Sequence, residues 1–240
     1  MIAAGTLLLM TPWATVPEKP LRILDALFTA TSAVCLTGLI VVDTATEFTL
    51  FGQGIILALI QIGGLGYAIL ATLLLLAVGY RIGLHKRMML AEALNTLDMA
   101  GLIRFVKTIV VITFSFEALG ALLLTLRFAR DRPLPQALVD GVFHAMSAFN
   151  NAGFSTFPLN LIKYQQDWVV NLTIGFLVFS GGIGFIVFRD LFDRMLGTRR
   201  ILQPHTKLAL SVSGLLFMAG MLGIFFLESH TPPAKRWGED

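Results

Sequence analysis

Two stretches of this chain say nearly the same thing 115 residues apart: "PLRILDALFTATSAVCLTGL" from Pro20 to Leu39 and "PQALVDGVFHAMSAFNNAGF" from Pro135 to Phe154. They share Pro20 with Pro135, Asp25 with Asp140, Phe28 with Phe143, Ala30 with Ala145, Ser32 with Ser147, Ala33 with Ala148 and Gly38 with Gly153, seven identities in the nineteen positions from Pro20 to Gly38. Pro and Asp are scarce here, so shared apolar composition does not explain the match. A second echo follows each copy at an offset of 118, "QIGGLGY" from Gln61 and "FSGGIGF" from Phe179. Self-similarity in a fixed order marks a repeat architecture. Each unit is expected to run spanning helix, short helix, polar strip, spanning helix.

The surroundings place the repeat in a membrane. Of 240 residues, 56% are hydrophobic and only 14% charged, too few charges for a water-soluble surface. Apolar segments run from Phe48 to Gly79, Leu102 to Leu126, Trp168 to Phe188 and Leu208 to Leu227, each compatible with the ~20 residues a spanning helix needs. The first would reach ~48 Å against a ~30 Å hydrocarbon core, so a break is expected, with Gly63 and Gly64 as its natural place. Met1 to Met10 is half a span and has no basic flank before it, which predicts the tail of a helix rather than a signal peptide. Basic residues gather in the connections from Tyr80 to Lys107 and from Arg189 to Lys207, so both are expected to be cytoplasmic. Arg127, Arg130 and Arg132 are a partial exception on the opposite side, near Asp131.

In each repeat the proline supplies a preset first turn, and Asp25 or Asp140 suits the positive end of the helix dipole. A helix from Pro20 to Ala33 rises only ~20 Å, so "VCLTGL" or "FNNAGF" must turn back at membrane depth. Non-helical backbone is tolerated there only where protein buries it or water lines it. Glycine opens backbone angles that let successive carbonyls face one axis, and rings of carbonyls can replace the hydration shell of potassium. The repeated segment is therefore expected to be a pore helix followed by a selectivity filter.

With these motifs in place, the chain resembles the Trk/Ktr/HKT superfamily of potassium transporters. "DALFTATSAVCLTGLIVVDT" with "IQIGGLG" resembles a first repeat and "GVFHAMSAFNNAGFS" with "GGIGFIVFRDL" a second, the wording being closest to a Ktr membrane subunit. The resemblance implies an all-α transmembrane fold of helix, pore loop, helix units, here about two and a half of four. The implied organisation is a first repeat over 1–79, a cytoplasmic connection over 80–101, a second repeat over 102–188, a connection over 189–207 and the outer helix of a third repeat over 208–240. Gly38 and Gly153 match the filter glycines. Leu36, Thr37, Asn151 and Ala152 match the positions whose carbonyls face potassium. The resemblance further implies a multi-pass protein of the cell membrane, surrounded by lipid, working as a homodimer of full-length subunits with a cytosolic nucleotide-binding regulatory subunit. Potassium is the implied cargo, with sodium as an alternative; no cofactor is implied. Two filters instead of four point to the amino-terminal half of a longer protein.

Other readings compete at several positions. A carrier with discontinuous helices also uses glycine breaks and repeats, and a non-transporting membrane fragment is a third possibility. Gly63, Gly64, Gly66, Gly181, Gly182 and Gly184 are expected to be packing positions rather than a hinge or nucleotide loop. Cys35 is expected to be a small packed residue, and His144 to hydrogen-bond locally. Glu117, an ionisable group inside a span, is a functional candidate, with pairing to a neighbouring helix or backbone amides expected. No catalytic triad, metal-ligand cluster or basic nucleic-acid face stands out, so neither an enzyme nor a nucleic-acid binder is expected.

Overall fold

A computed structural model describes residues 1–16, 21–66, 99–195 and 201–229. Its elements are α1 (Ile2–Leu9), α2 (Ile23–Cys35), α3 (Thr44–Glu47), α4 (Leu50–Leu65), α5 (Met99–Phe128), α6 (Leu134–Phe149), α7 (Trp168–Ile183), α8 (Phe185–Met195) and α9 (Pro204–Ser229). The fold is all-α; among the described residues extended pairing is limited to one isolated bridge between Thr15 and Phe48. Val106–Phe128 and Pro204–Leu227 are each long and apolar enough to cross a membrane, and Trp168–Ile183 with Phe185–Arg194 would make a third span if joined across Gly184. Pro20, most of the 80–101 connection with Arg81, Lys86 and Arg87, and also Arg199, Arg200 and 230–240 lie outside the described residues.

The residues Met1–Gly182 form one unit, whose elements pair off as two copies of one plan. α1, α2 and α4 pack together in the first copy, and α5, α6 and α7 are their counterparts. Helix starts follow local chemistry. Thr49 Oγ1 accepts the Gly52 N–H at 3.2 Å before α4, Asp43 accepts from Ala45 before α3, and Pro135 sits in the first turn of α6. Such caps satisfy donors that a helix end leaves open. Ala26, Ala30 and Ala33 make a fully buried small-residue face on α2, which lets α1 and α4 approach closely. The core there also takes in Phe143, Ala152 and Phe154 from the second copy, so the two copies interlock through α6 and the residues that follow it.

The plan extends to the outer helices, an echo that sequence comparison passes over because it consists mostly of leucines. A Cβ on Gly5 of α1 would lie 2.8 Å from a Leu59 methyl, and one on Gly120 of α5 would lie 2.5 Å from a Leu177 methyl. Gly5 and Gly120 are 115 residues apart and Leu59 and Leu177 are 118 apart, the same offsets as the two motifs. Each outer helix thus seats a leucine of its own inner helix where a glycine makes room.

Several expectations need correction. α4 runs unbroken through Gly63 and Gly64 and ends at Gly66, whose φ is +76°. The segment Trp168 to Phe188 is not one helix; it breaks at Gly184, φ +91°. Gly66 and Gly184 are equivalent, and among the described residues a Cβ on either meets nothing within 4 Å. Their role is conformational, since left-handed backbone is open to glycine at little cost, and not the packing role expected. Cys35 is exposed rather than packed. The first short helix also runs two residues further than the Ala33 limit, through Cys35, and the second one residue past the equivalent Ala148, through Phe149.

The second unit, Ile183–Asp240, contains α8 and α9, which pack on each other. Asp190 accepts the Gln203 N–H at 2.8 Å, tying the turn before α9 to α8. The apolar stretch of α9 leaves Leu208, Leu215, Leu216, Phe225 and Phe226 exposed, the surface expected of a helix that faces lipid or other membrane helices.

Candidate functional site

The six residues singled out from sequence follow the ends of α2 and α6, and their backbones match. Leu36 (φ 57°) and Gly38 (φ 70°) in the first strip, and Asn151 (φ 56°) and Gly153 (φ 75°) in the second, all occupy the left-handed region, whereas Thr37 and Ala152 between them do not. Alternating hands turn successive N–H groups to one side and carbonyls to the other. The N–H side faces the helix end: Thr37 N–H donates to Ser32 O at 3.0 Å and Ala152 N–H to Ser147 O at 2.8 Å. Beyond the glycine, Ser32 Oγ donates to Leu39 O and Ser147 Oγ to Phe154 O, each at 2.7 Å. The serine shared by both copies therefore straps each strip at both ends. Left-handed φ at Leu36 and Asn151 costs about 1–3 kcal/mol apiece, and the paired straps hold the backbone there.

The two strips meet. A Cβ on Gly38 would lie 2.7 Å from the Ala152 carbonyl oxygen and 3.3 Å from the Gly153 Cα; one on Gly153 would lie 3.4 Å from the Gly38 Cα. Gly38, Ala152 and Gly153 are thus in backbone contact, and no charged side chain belongs to the set. A cavity of about 300 Å³ opens beside the second strip, lined by His144, Ser147, Asn151, Gly153, Phe154 and Asn160 among others. Among the described residues no group of three or more His, Cys, Asp or Glu side chains is placed to hold a metal ion.

The glycine pairs support the strips from behind. A Cβ on Gly63 would come within 2.2 Å of the Val34 carbonyl oxygen, and one on Gly181 within 1.7 Å of the Phe149 carbonyl oxygen. Val34 and Phe149 are equivalent positions in the last turn of the two short helices, so α4 and α7 each press on the backbone at the end of the short helix of their own copy. Gly63 and Gly181 are packing positions, as expected. Gly64 and Gly182 diverge: Gly64 accommodates the Asn150 side chain, whose Oδ1 a Cβ would meet at 1.7 Å, whereas a Cβ on Gly182 would have only Asn151 Nδ2 at 4.0 Å.

Asn150 is the functional candidate that sequence reasoning passed over. Its Nδ2 lies 3.0 Å from Gln61 Oε1, 3.0 Å from Glu117 Oε1 and 2.9 Å from Met146 O. Gln61 Nε2 donates to Glu117 Oε2 at 3.2 Å. Glu117 therefore pairs with other helices, one of the two pairings expected of it. His144 bonds locally too, with Nδ1 2.7 Å from Asp140 O and Nε2 2.9 Å from Ser155 Oγ.

On the loop side, two of the three arginines of the cationic exception, Arg127 and Arg132, are paired. Arg127 binds Asp131 at 3.0 Å and also Asp167. Arg132 binds Asp140 at 3.0 Å and stacks over the Phe157 ring at 4.5 Å, while Thr156 Oγ1 donates to the other Asp140 oxygen at 2.6 Å. Asp140, expected to serve the helix dipole, instead lies beyond the first turn of α6 and anchors the segment that follows the second strip. Burial alone would raise the Asp167 carboxyl, but the Val170 N–H, the Arg127 guanidinium and the Val169 N–H together hold it below its usual value.

Comparison with known proteins agrees with this architecture. The model of the TrkH family, described as cation transport protein, matches residues 2–231. The chain is 47% identical over 232 residues to Ktr system potassium uptake protein B of Bacillus subtilis, covering 96% of this chain and 51% of that protein. It is 39% identical over 212 residues to the Vibrio alginolyticus protein of the same name, covering 88% and 47%. It is 35% identical over 232 residues to potassium/sodium uptake protein NtpJ of Enterococcus hirae, covering 96% and 51%. The chain spans about half the length of these curated relatives. Two matched copies of an outer helix, short helix, strip and inner helix, together with a family match over nearly every residue, lead to one conclusion: the chain belongs to the TrkH family of cation transport proteins.

Proposed function

We propose that this chain forms part of a potassium uptake system of the cell membrane, in which the backbone carbonyls of Leu36, Thr37, Asn151 and Ala152 replace the water shell of the ion beside Gly38 and Gly153. The observation that carries this reading is the backbone contact between Gly38 and the pair Ala152 and Gly153, made by two strips with matched left-handed positions. The absence of a charged side chain from the set suits a monovalent cation, which dipoles can hold without trapping. The C-terminal ends of α2 and α6 lead into the strips, so their negative dipole ends add to the attraction. The relatives' names, potassium uptake in two cases and potassium/sodium uptake in the third, agree with that cargo.

The organisation that accompanies this reading is a first repeat over 1–79, a second over 102–188 and the outer helix of a third over 208–240, with the basic connections facing the cytosol. α8 itself crosses the 188 boundary as one helix, Phe185–Met195. A homodimer and a cytosolic nucleotide-binding subunit complete the proposed assembly. The role is transport rather than enzymatic catalysis. The test is uptake: the complete gene product, expressed in cells lacking their own potassium uptake, restores growth on low potassium and accumulates rubidium as a potassium tracer. Failure to restore growth on low potassium, or counterflow of an organic solute instead, overturns the reading.

A further inference from the structure

Glu117, Gln61 and Asn150 come from three different helices, α5, α4 and α6, and close into one hydrogen-bonded set. Glu117 is only 4% exposed and Asn150 only 7%. A carboxylate at that depth is costly unless its oxygens are bonded; here one oxygen receives Asn150 and the other Gln61. Asn150 has two amide hydrogens for three acceptors, so its side chain is held from every direction in which it can donate. Its own backbone leads directly into the left-handed residue Asn151.

The set occurs once. At the matching places the repeat carries Cys35 for Asn150, Ile2 for Glu117 and Phe179 for Gln61, and Cys35 is exposed. Gly64 is shaped to it, since a Cβ there would collide with Asn150 Oδ1. Three letters of "QIGGLG" therefore act on the strips: Gln61 bonds Asn150, Gly63 seats the end of α2 and Gly64 admits the Asn150 carboxamide.

Building on the proposed filter, we infer that Glu117 is a positioning residue: through Asn150 it fixes the second strip against α4, the inner helix of the first repeat, and so sets the preference for potassium over sodium. Glu117 does not touch the ion; the backbone between Asn150 and Gly153 carries its effect. Because α4 breaks at Gly66, little more than one turn beyond Gln61, the same bonds link the strip to the end of that helix.

The test uses the complete gene product in uptake-deficient cells, with rubidium influx and its inhibition by sodium measured at matched membrane abundance. Glu117→Ala is expected to lower the potassium-to-sodium preference about tenfold, the loss of hydrogen bonds to a charged group. Glu117→Gln, whose amide oxygen can still accept from Asn150 once the Gln61 amide turns its oxygen toward the new NH2, is expected to keep the preference within about twofold. Asn150→Cys, the residue that the first repeat carries at that place, is expected to behave like Glu117→Ala, and decides the matter if Glu117→Ala fails to reach the membrane. A parental preference in Asn150→Cys overturns the inference, as does a Glu117→Gln preference as low as that of Glu117→Ala, which would mean that charge acts on the ion directly. Gly38→Ser and Gly153→Ser, run alongside, separate the two levels: if they lower the preference while the Asn150 and Glu117 variants leave it alone, the filter reading stands and the positioning role falls.

Discussion

The two strip glycines are equivalent by sequence but not by surroundings, and alanine at each should separate two costs. Both have φ near +70°, so either substitution carries a left-handed penalty of about 1–2 kcal/mol. At Gly153 little is added, because the nearest atom to the new Cβ is the Gly38 Cα at 3.4 Å. At Gly38 the new Cβ would lie 2.7 Å from the Ala152 carbonyl oxygen, and a carbon-to-oxygen contact relaxes only near ~3.3 Å. The oxygen must therefore retreat by about 0.6 Å or turn away, and it is one of the oxygens proposed to hold the ion. A further cost of about 1.4 kcal/mol at that oxygen corresponds to a tenfold change in relative occupancy. Gly38→Ala is accordingly expected to lower the potassium-to-sodium preference about tenfold more than Gly153→Ala. The assay is rubidium influx against a sodium series in uptake-deficient cells, normalised to membrane abundance. Equal loss in the two variants, or greater loss in Gly153→Ala, refutes the reasoning.

Two further predictions concern the scaffold. Gly63→Ala and Gly181→Ala force a methyl onto the carbonyls of Val34 and Phe149 and should each destabilise by about 1–3 kcal/mol, read as earlier thermal loss of monodispersity in detergent; Gly54→Ala, where a Cβ meets nothing within 4 Å, should match the parent, and equal stability of all three contradicts the packing assignment. For Asp167, whose folded carboxyl is held below its ordinary value of 3.8, the stabilising contribution is complete above that value and disappears as pH falls through the lower folded one. Thermal stability of the parent should therefore exceed that of Asp167→Asn from neutral pH down to about pH 4 and converge with it below; a gap that stays constant into acid refutes the assignment.

Much of the fold is legible from the repeated motifs because they combine scarce residues with fixed jobs. Ser32 and Ser147 recur because each straps a strip, and Gly38 and Gly153 because their backbone angles suit glycine. What escaped reading has a physical pattern as well. Gly63, Gly64 and Gly66 look alike in an apolar run, yet one seats a carbonyl, one admits an amide and one ends the helix; only the third has positive φ, which composition does not reveal. The outer-helix glycines, Gly5 and Gly120, are masked by the leucines around them. Cys35 reads as packed because cysteine is commonly buried, but the end of α2 turns it outward. The bonds among Gln61, Glu117 and Asn150 join residues from three helices and have no second copy, so self-comparison along the chain has nothing to match.

Locating the ion itself bears most directly on the central claim. Crystals of the complete protein grown in rubidium, measured at its absorption edge, are predicted to show an anomalous peak in direct coordinating contact with the carbonyl oxygens of Leu36, Thr37, Asn151 and Ala152. A peak held by other residues, with none at these oxygens in a protein that still takes up rubidium, contradicts the account.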